Sequence, residues 1–348
     1  MDAADARALK IAFPAQMGAE NWAREDRPDL WPYGLNHLAE AWGKPASLES
    51  LSKASPRTLL AGIAGLGAKA PGRGTRSDGI DYLTWDEFTG ATVAATRLEE
   101  NDRLYSGLIW ATDTPADVKT SLQRRFTHTH LRRASALWCL SKPQVQRAEK
   151  WLGARRPPIE FVPFGIDAEF FQPTPFRSEK LVVSIGNDRD RDIRTLYEAW
   201  DAVGKHVPGS RLFVQTPVDA QAPDGVTRIE KMSHSDLRRV YSSADVVAVA
   251  TRPNWHVSGM TVALEAAASA RPVVMTGTPG ADDYVEHGRT GFLSEQGSPE
   301  SMAKHLRSLL ESPAEAEAMG LAGRSKVERE HRSTHLSERL HQLIAAHP

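Results

Sequence analysis

Val246-Val247-Ala248-Val249-Ala250 is an apolar run of strand length. Thr251-Arg252-Pro253-Asn254-Trp255-His256-Val257-Ser258-Gly259 is a polar loop ending in glycine, and Met260-Thr261-Val262-Ala263-Leu264-Glu265-Ala266 reads as a helix start. The backbone N–H groups at such a start, with a glycine allowing close approach, suit a diphosphate. Glu265 lies about one turn into the helix, where a carboxylate accepts hydrogen bonds from two vicinal hydroxyls, as on a ribose. The competing reading is a helix that merely packs on a sheet, with Glu265 solvated or capping. Strand–glycine–helix junctions are common, so local physics leaves the two even.

The alternation extends to both sides. Residues 181–185, 211–214, 226–229 and 272–275 read as further strands. Ser233 with Asp236 is a near capping box, and Ser298-Pro299 and Ser312-Pro313 place a cap before proline. A doubly wound α/β domain is expected over 178–330. Leu336, Leu340, Leu343 and Ile344 predict an amphipathic helix within 331–348, expected to return to the first domain. Gln172-Pro173-Thr174-Pro175 reads as a linker.

The first half, 1–170, carries the pattern less cleanly. Strands are expected at 9–13, 104–111, 136–140 and 159–162, and helices at 86–98, 114–133 and 142–152. Tyr33, Leu38, Ala41 and Trp42 predict a helix ending at Gly43, and 44–80 reads as helical pieces with a loop at Pro71-Gly72-Arg73-Gly74. The fold class is therefore α/β, two Rossmann-like doubly wound domains facing an inter-domain cleft.

At 348 residues, with 41% hydrophobic and 25% charged, the chain is neither disordered nor collagen-like and is long enough for two cores. Lys plus Arg number 43 against 44 Asp plus Glu, which excludes a general nucleic-acid coat protein, and no nucleic-acid partner is expected. One cysteine, Cys139, rules out an intrachain disulfide and fits a reducing cytosol. The acidic start lacks a signal-peptide layout, and the most apolar stretch, 59–68, is broken by Gly62, Gly65 and Gly67. A cytoplasmic protein is expected.

The run Ser258–Ala266, followed by Arg271-Pro272-Val273-Val274 and by Glu286-His287-Gly288-Arg289-Thr290-Gly291-Phe292-Leu293, resembles the nucleotide-sugar domain of family-4 retaining glycosyltransferases of the GT-B fold. Ser184-Ile185-Gly186, Tyr241–Val246 and Val162–Asp167 add to the likeness. It is strong over about 160–330 and weak over the first 150 residues.

The resemblance implies transfer of a sugar from a nucleoside-diphosphate sugar to an acceptor hydroxyl with retention of configuration. It implies no metal and no cofactor beyond the donor. The acceptor would be a glycan, a lipid-linked molecule or a small molecule. Glu265 would hold the donor ribose, and the backbone of Ser258, Gly259, Met260 and Thr261 would cradle the diphosphate. The family's first glutamate falls at Val257, so its sugar contact passes to Asn254, His256 or main-chain groups. Of a basic pair after the domain's first strand, Gly186-Asn187 replaces the first member, Arg191 matches the second and Arg189 substitutes for the missing one. Guanidiniums there suit a leaving diphosphate whose charge grows as the glycosidic bond breaks; the competing reading is a solvated Asp–Arg loop. Ile229, Lys231 and Met232 sit where such enzymes meet the base. Gly18 and Asp113 are the first-domain candidates, Asp113 alternatively as an N-cap; the family's histidine is Thr112 here. Arg191, Glu265 and Asp113 are the expected catalytic groups. An epimerase or hydrolase on the same fold, or a catalytically silent sugar-nucleotide binder, are the alternatives.

Asp188-Arg189-Asp190 resembles a metal-binding Asp-x-Asp, but a two-domain α/β layout argues against that fold. His37, His128 and His130 have no recognisable partner as a base or metal set. Residues 119–156 hold ten Lys or Arg and one acid, Glu149, which offers a peripheral membrane contact at the inner face; solvated helix faces are the competing reading.

Overall fold

The computed structural model describes residues 7–19, 22, 27–52 and 79–348. These form two compact units, the first from 7–19, 22, 30–52, 79–163 and 336–348, the second from 27–29 and 164–335.

The first unit is built on a six-stranded parallel sheet: β1 (Ala8–Pro14), β2 (Ala46–Leu51), β3 (Ile80–Thr84), β4 (Arg103–Leu108), β5 (Ala136–Cys139) and β6 (Ile159–Phe161), in the order β2-β1-β3-β4-β5-β6. The switch of strand order lies between β1 and β3, which pair in parallel. Strands β3 and β5 are buried throughout, as expected for a sheet covered on both faces. Phe126, Leu137, Cys139 and Leu152 sit in the core of this unit.

Several sequence expectations fail in this half. Within 44–80, read as helical, the chain forms strand β2 and begins strand β3; the apolar stretch 59–68 and the loop 71–74 lie outside the described residues. The strand expected over 104–111 stops at Leu108 because side chains capture the next backbone groups. Glu87 accepts from the amides of Ile109 and Trp110, and Gln144 donates to the Ile109 carbonyl. The helix expected over 114–133 is Val118–His130 followed by a 3-10 turn, and its cap is Asp117, in a reciprocal capping box with Thr120, rather than Asp113. The helix expected from Tyr33 starts at Leu35, because Tyr33 takes φ 61° inside a 3-10 turn. The helix Ser333–Ala346 includes Ser337, whose hydroxyl donates to the Gly34 carbonyl, and His341, whose ring packs edge-on against Trp42.

The second unit carries β7 (Leu181–Ser184), β8 (Arg211–Gln215), β9 (Val226–Ile229), β10 (Val246–Val249), β11 (Val273–Thr276) and β12 (Gly291–Ser294), all parallel, in the order β12-β11-β10-β7-β8-β9. This is the Rossmann order, and its switch point falls between β7 and β10. The helices Ile193–His206 and Pro299–Glu311 supply Leu196, Trp200, Met302 and Leu306 to the core on this sheet. Ser233 and Ser298 cap their helices as expected, whereas the Ser312 side chain makes no capping bond. Thr174, in the run read as a linker, receives hydrogen bonds from the buried Arg271 and belongs to the second unit.

Among the described residues, no helix is long and apolar enough to cross a membrane.

Candidate functional site

The site grows out of the switch point of the second sheet. Strand β7 ends at Ser184 and runs into the turn 186–192, while β10 ends at Val249 and runs into the loop 250–259. Backbone bonds tie the two segments together: Asp192 N–H donates to the Ala250 carbonyl at 3.0 Å and Arg252 N–H to the Asp190 carbonyl at 2.8 Å. Arg191 and Thr251 form an isolated bridge. The crevice between diverging strands is where open α/β sheets bind ligands.

Arg191 occupies that crevice. Its Nη2 donates to the Ile185 carbonyl at 2.7 Å, but Nε and Nη1 are buried and have no hydrogen-bond partner among the described residues. Burial holds its pKa below the usual arginine value, against the pull of Asp188, Tyr241 and Glu265. Two glycines make room for it. A Cβ at Gly186 would lie 2.4 Å from Nη2, and one at Gly259 would lie 3.0 Å from Nη1 and 2.3 Å from Val249 Cγ1. Gly259 also sits at φ 88°, where side chains are strained.

The loop before Gly259 is held by its own side chains. Asn254 Oδ1 accepts from Ser258 N–H at 2.9 Å while its Nδ2 donates to the Arg252 carbonyl at 2.8 Å. Asp188 Oδ1 accepts from the Ser258 hydroxyl at 2.5 Å and from Asp190 N–H at 3.0 Å, and it lies 3.3 Å from His256 Nε2. Burial raises the Asp188 pKa, but the His256 and Ser258 bonds outweigh it and hold the carboxyl well below the usual range. Asp188 is therefore a loop brace, which is what its Asp-x-Asp setting does here.

Val257 is fully buried at φ 52°, a costly conformation for a β-branched residue. Its carbonyl accepts from Met260 N–H at 3.0 Å. Of the four amides expected to cradle a diphosphate, those of Ser258 and Met260 are therefore taken within the loop. Gly259 and Thr261 are the two with no acceptor among the described residues. Of the two residues expected as donor-sugar contacts, Asn254 directs its polar atoms into the loop, and the His256 ring nitrogens face Asp188 and Asp190 of the turn 186–192.

Glu265, on the helix Met260–Ala268, accepts from the Tyr241 hydroxyl at 2.7 Å. Burial pushes its carboxyl up to about 7, with the Tyr241 bond and the Arg191 charge pulling the other way. Tyr241 is fully buried. Sequence reasoning gave it no role in the site; the signal was a tyrosine on the inward face of a helix followed by Ser242-Ser243.

The remaining candidates spread around this centre. Asn187 and Arg189 are exposed, Arg189 pairing with Asp190 at 3.3 Å. Gly186 N–H donates to Gln215 Oε1, and Gln215 in turn donates to the Glu230 carbonyl, between Ile229 at the end of β9 and the exposed Lys231. Met232 is half-buried beyond them. Gly18 and Asp113 belong to the first unit. Gly18 closes the 3-10 turn after β1 at φ 59°, and Asp113 is buried and donates its N–H to the Trp110 carbonyl. Of the basic stretch 119–156, Arg124, Arg132, Arg133 and Arg147 donate to carbonyls of the first unit and Arg156 pairs with Glu149.

Residues 179–312 match the family model Glycosyl transferases group 1. Over 219 residues the chain is 27% identical to a GDP-mannose-dependent alpha-(1-6)-phosphatidylinositol monomannoside mannosyltransferase of Mycobacterium tuberculosis, covering 53% of this chain and 55% of that protein. The chain spans about half the length of the curated relatives it matches. Among solved structures, sucrose-phosphate synthase from Thermosynechococcus elongatus aligns over 98% of both chains at a TM-score of 0.70 and 17% identity. Anabaena HepE in complex with UDP aligns over 98% of this chain and 100% of that one at 0.69 and 15%. The structural likenesses show the fold, that of GT-B chains, and the stretch that matches the Glycosyl transferases group 1 model lies within the second unit.

Proposed function

We propose that the protein transfers a sugar from a nucleoside-diphosphate sugar to an acceptor hydroxyl, with retention of configuration and without a metal. The observation that carries this reading is Arg191, a buried guanidinium with two unpartnered nitrogens beside the free amides of Gly259 and Thr261. Buried polar atoms without partners are rare in native proteins, and a pyrophosphate would satisfy these. Glu265 would accept from the ribose hydroxyls in its ionised form. As the glycosidic bond breaks, the electron pair passes to the leaving phosphate, and Arg191 stabilises the growing charge. In a front-face reaction that phosphate takes the acceptor's proton, so the chain's own task is to position groups and hold charge. The mycobacterial relative, a GDP-mannose-dependent mannosyltransferase, supports a donor of this class.

The exposed Lys119, Arg125, Lys150 and Arg155 support a peripheral contact with anionic lipid at a cytoplasmic membrane face. Val257, buried and strained where the family's first glutamate falls, favours a second reading: a silent sugar-nucleotide binder.

Incubation with GDP- and UDP-sugars and a panel of sugar, cyclitol and lipid-linked acceptors separates the readings. A glycosylated product with the donor's anomeric configuration supports transfer. Nucleotide binding with no product across the panel supports the silent binder, and free sugar or an epimer supports a hydrolase or epimerase.

A further inference from the structure

At the end of the second sheet where its central strands begin, opposite the switch-point crevice, lies a cavity of about 450 Å³, lined by Thr174, Arg177, Glu179, Arg238, Arg239 and Ser242 among others. Its walls come from segments that enter strands: Glu179 precedes β7, Ser242 precedes β10, and Arg271, beneath the cavity, precedes β11. The crevice described above is built from segments that leave those same strands, so the two places are separated by the sheet itself.

Arginines outnumber acids in the cavity lining, Arg177, Arg238 and Arg239 against Glu179, while Asp245 and Glu317 act on the Arg271 beneath. Arg271 is fully buried; it donates to the Thr174 carbonyl and hydroxyl and to the Ser242 carbonyl, and its Nε has no partner among the described residues. It makes no ion pair among the described residues. Arg238 lies over the Phe170 ring at 5.0 Å, and neither it nor the exposed Arg177 makes an ion pair among the described residues. The nearby acids are engaged: Asp236 pairs with Arg239 at 2.9 Å, Glu179 with Arg211 at 3.3 Å, and Asp245 accepts from the Leu181 and Glu179 amides. The Thr174, Ser242 and Ser243 hydroxyls donate to the Ser242, Arg238 and Val240 carbonyls, so the guanidiniums of Arg177 and Arg238 are the donors left for an anion, and their forked N–H groups suit the oxygens of a phosphate group.

We propose that this cavity is a second anion site, for a phosphate-bearing ligand, independent of the sugar-nucleotide crevice. The ligand is either a soluble phosphate compound or the phosphate of a lipid headgroup, and the shared chemistry is an exposed phosphoryl group.

The test uses the full chain carrying Arg191→Ala, which removes the guanidinium of the other site. It is titrated calorimetrically with inorganic pyrophosphate, and sedimented with phosphatidylcholine vesicles with and without phosphatidic acid. Both measurements are repeated after adding Arg177→Ser and Arg238→Ser. Loss of two charge-assisted contacts is expected to weaken binding about fivefold or more in at least one arm. Weakening for pyrophosphate alone assigns a soluble ligand, and weakening for the acidic vesicles assigns a headgroup. A smaller change in both arms, including no binding in either from the start, overturns the proposal. Ser243→Asp, which keeps every arginine and adds a repelling carboxylate, gives the same loss and stands in should the arginine substitutions disturb the fold.

Discussion

Gly259 leaves empty the space that Arg191 fills: a Cβ at that position would stand 3.0 Å from the guanidinium Nη1 and closer still to Val249. A glycine 68 positions downstream in the chain thus sets where a buried cation rests, and the cation rests with two nitrogens unsatisfied. On the proposed function, this arrangement preorganises the crevice for the donor's diphosphate, which reduces the reorganisation that binding must drive.

Gly259→Ala is expected to cost about 1–3 kcal/mol of stability from the positive φ and the overlap with Val249. It should also weaken nucleoside diphosphate binding by displacing Arg191. Denaturant unfolding and calorimetric titration of the same variant check both effects.

The Tyr241–Glu265 pair predicts a pH dependence. Glu265 titrates near 7, and its ionised form is the one that accepts from ribose hydroxyls. Nucleoside affinity should fall as the pH drops through about 7 and should lose that inflection in Glu265→Gln. Using uridine or guanosine rather than the diphosphates keeps phosphate titration out of the curve.

A second buried carboxyl predicts the stability profile. Burial, and then the charge of Asp86, push Glu87 up to about 7. Between about 4.5 and 7 the native state keeps this proton while the unfolded chain has lost it, so stability falls as the pH rises through that window and levels off above it. Glu265 acts in the same direction. Urea unfolding at a series of pH values should show the decline, and Glu87→Gln should flatten part of it.

Asp188 is expected to act on the loop rather than on chemistry. Asp188→Ala removes the acceptor for the Ser258 hydroxyl, for Asp190 N–H and for His256. Hydrogen exchange across 252–260 should rise, and nucleotide affinity should fall about tenfold or less. Asp188→Asn, which keeps an acceptor oxygen, should recover much of the loss.

The legibility of the sequence tracks how each element is buried. Strands β7, β10 and β11 are apolar runs buried on both faces, and their positions follow from the run alone; β8 buries only Leu212 and Val214, in alternation. Strand β2, Ala46-Ser47-Leu48-Glu49-Ser50-Leu51, is an edge strand with a half-exposed pattern and carries residues that also suit helices. Strand β3 is fully buried, but its apolar run is interrupted by Asp81, which is 2% exposed. In the site, Arg191 and Gly259 were legible because each sits beside a strand end or helix start, and Glu265 because it lies about one turn into the helix that Gly259 opens. The pairing of Glu265 with Tyr241 and of Asp188 with Ser258 joins residues 24 and 70 positions apart, and no local pattern encodes such partners. The capture of four loop groups by Asn254 and Asp188 likewise depends on the folded turn.

The central claim is tested most directly by thermal shift and calorimetry with UDP, GDP and ADP on the wild-type chain and on Arg191→Ala. One of the three is expected to stabilise the wild-type protein, by about 2.7 kcal/mol at one hundred times its dissociation constant. Arg191→Ala should stay folded and lose most of that stabilisation. Equal binding by the two proteins, or no binding of any diphosphate to the wild type, would contradict the account.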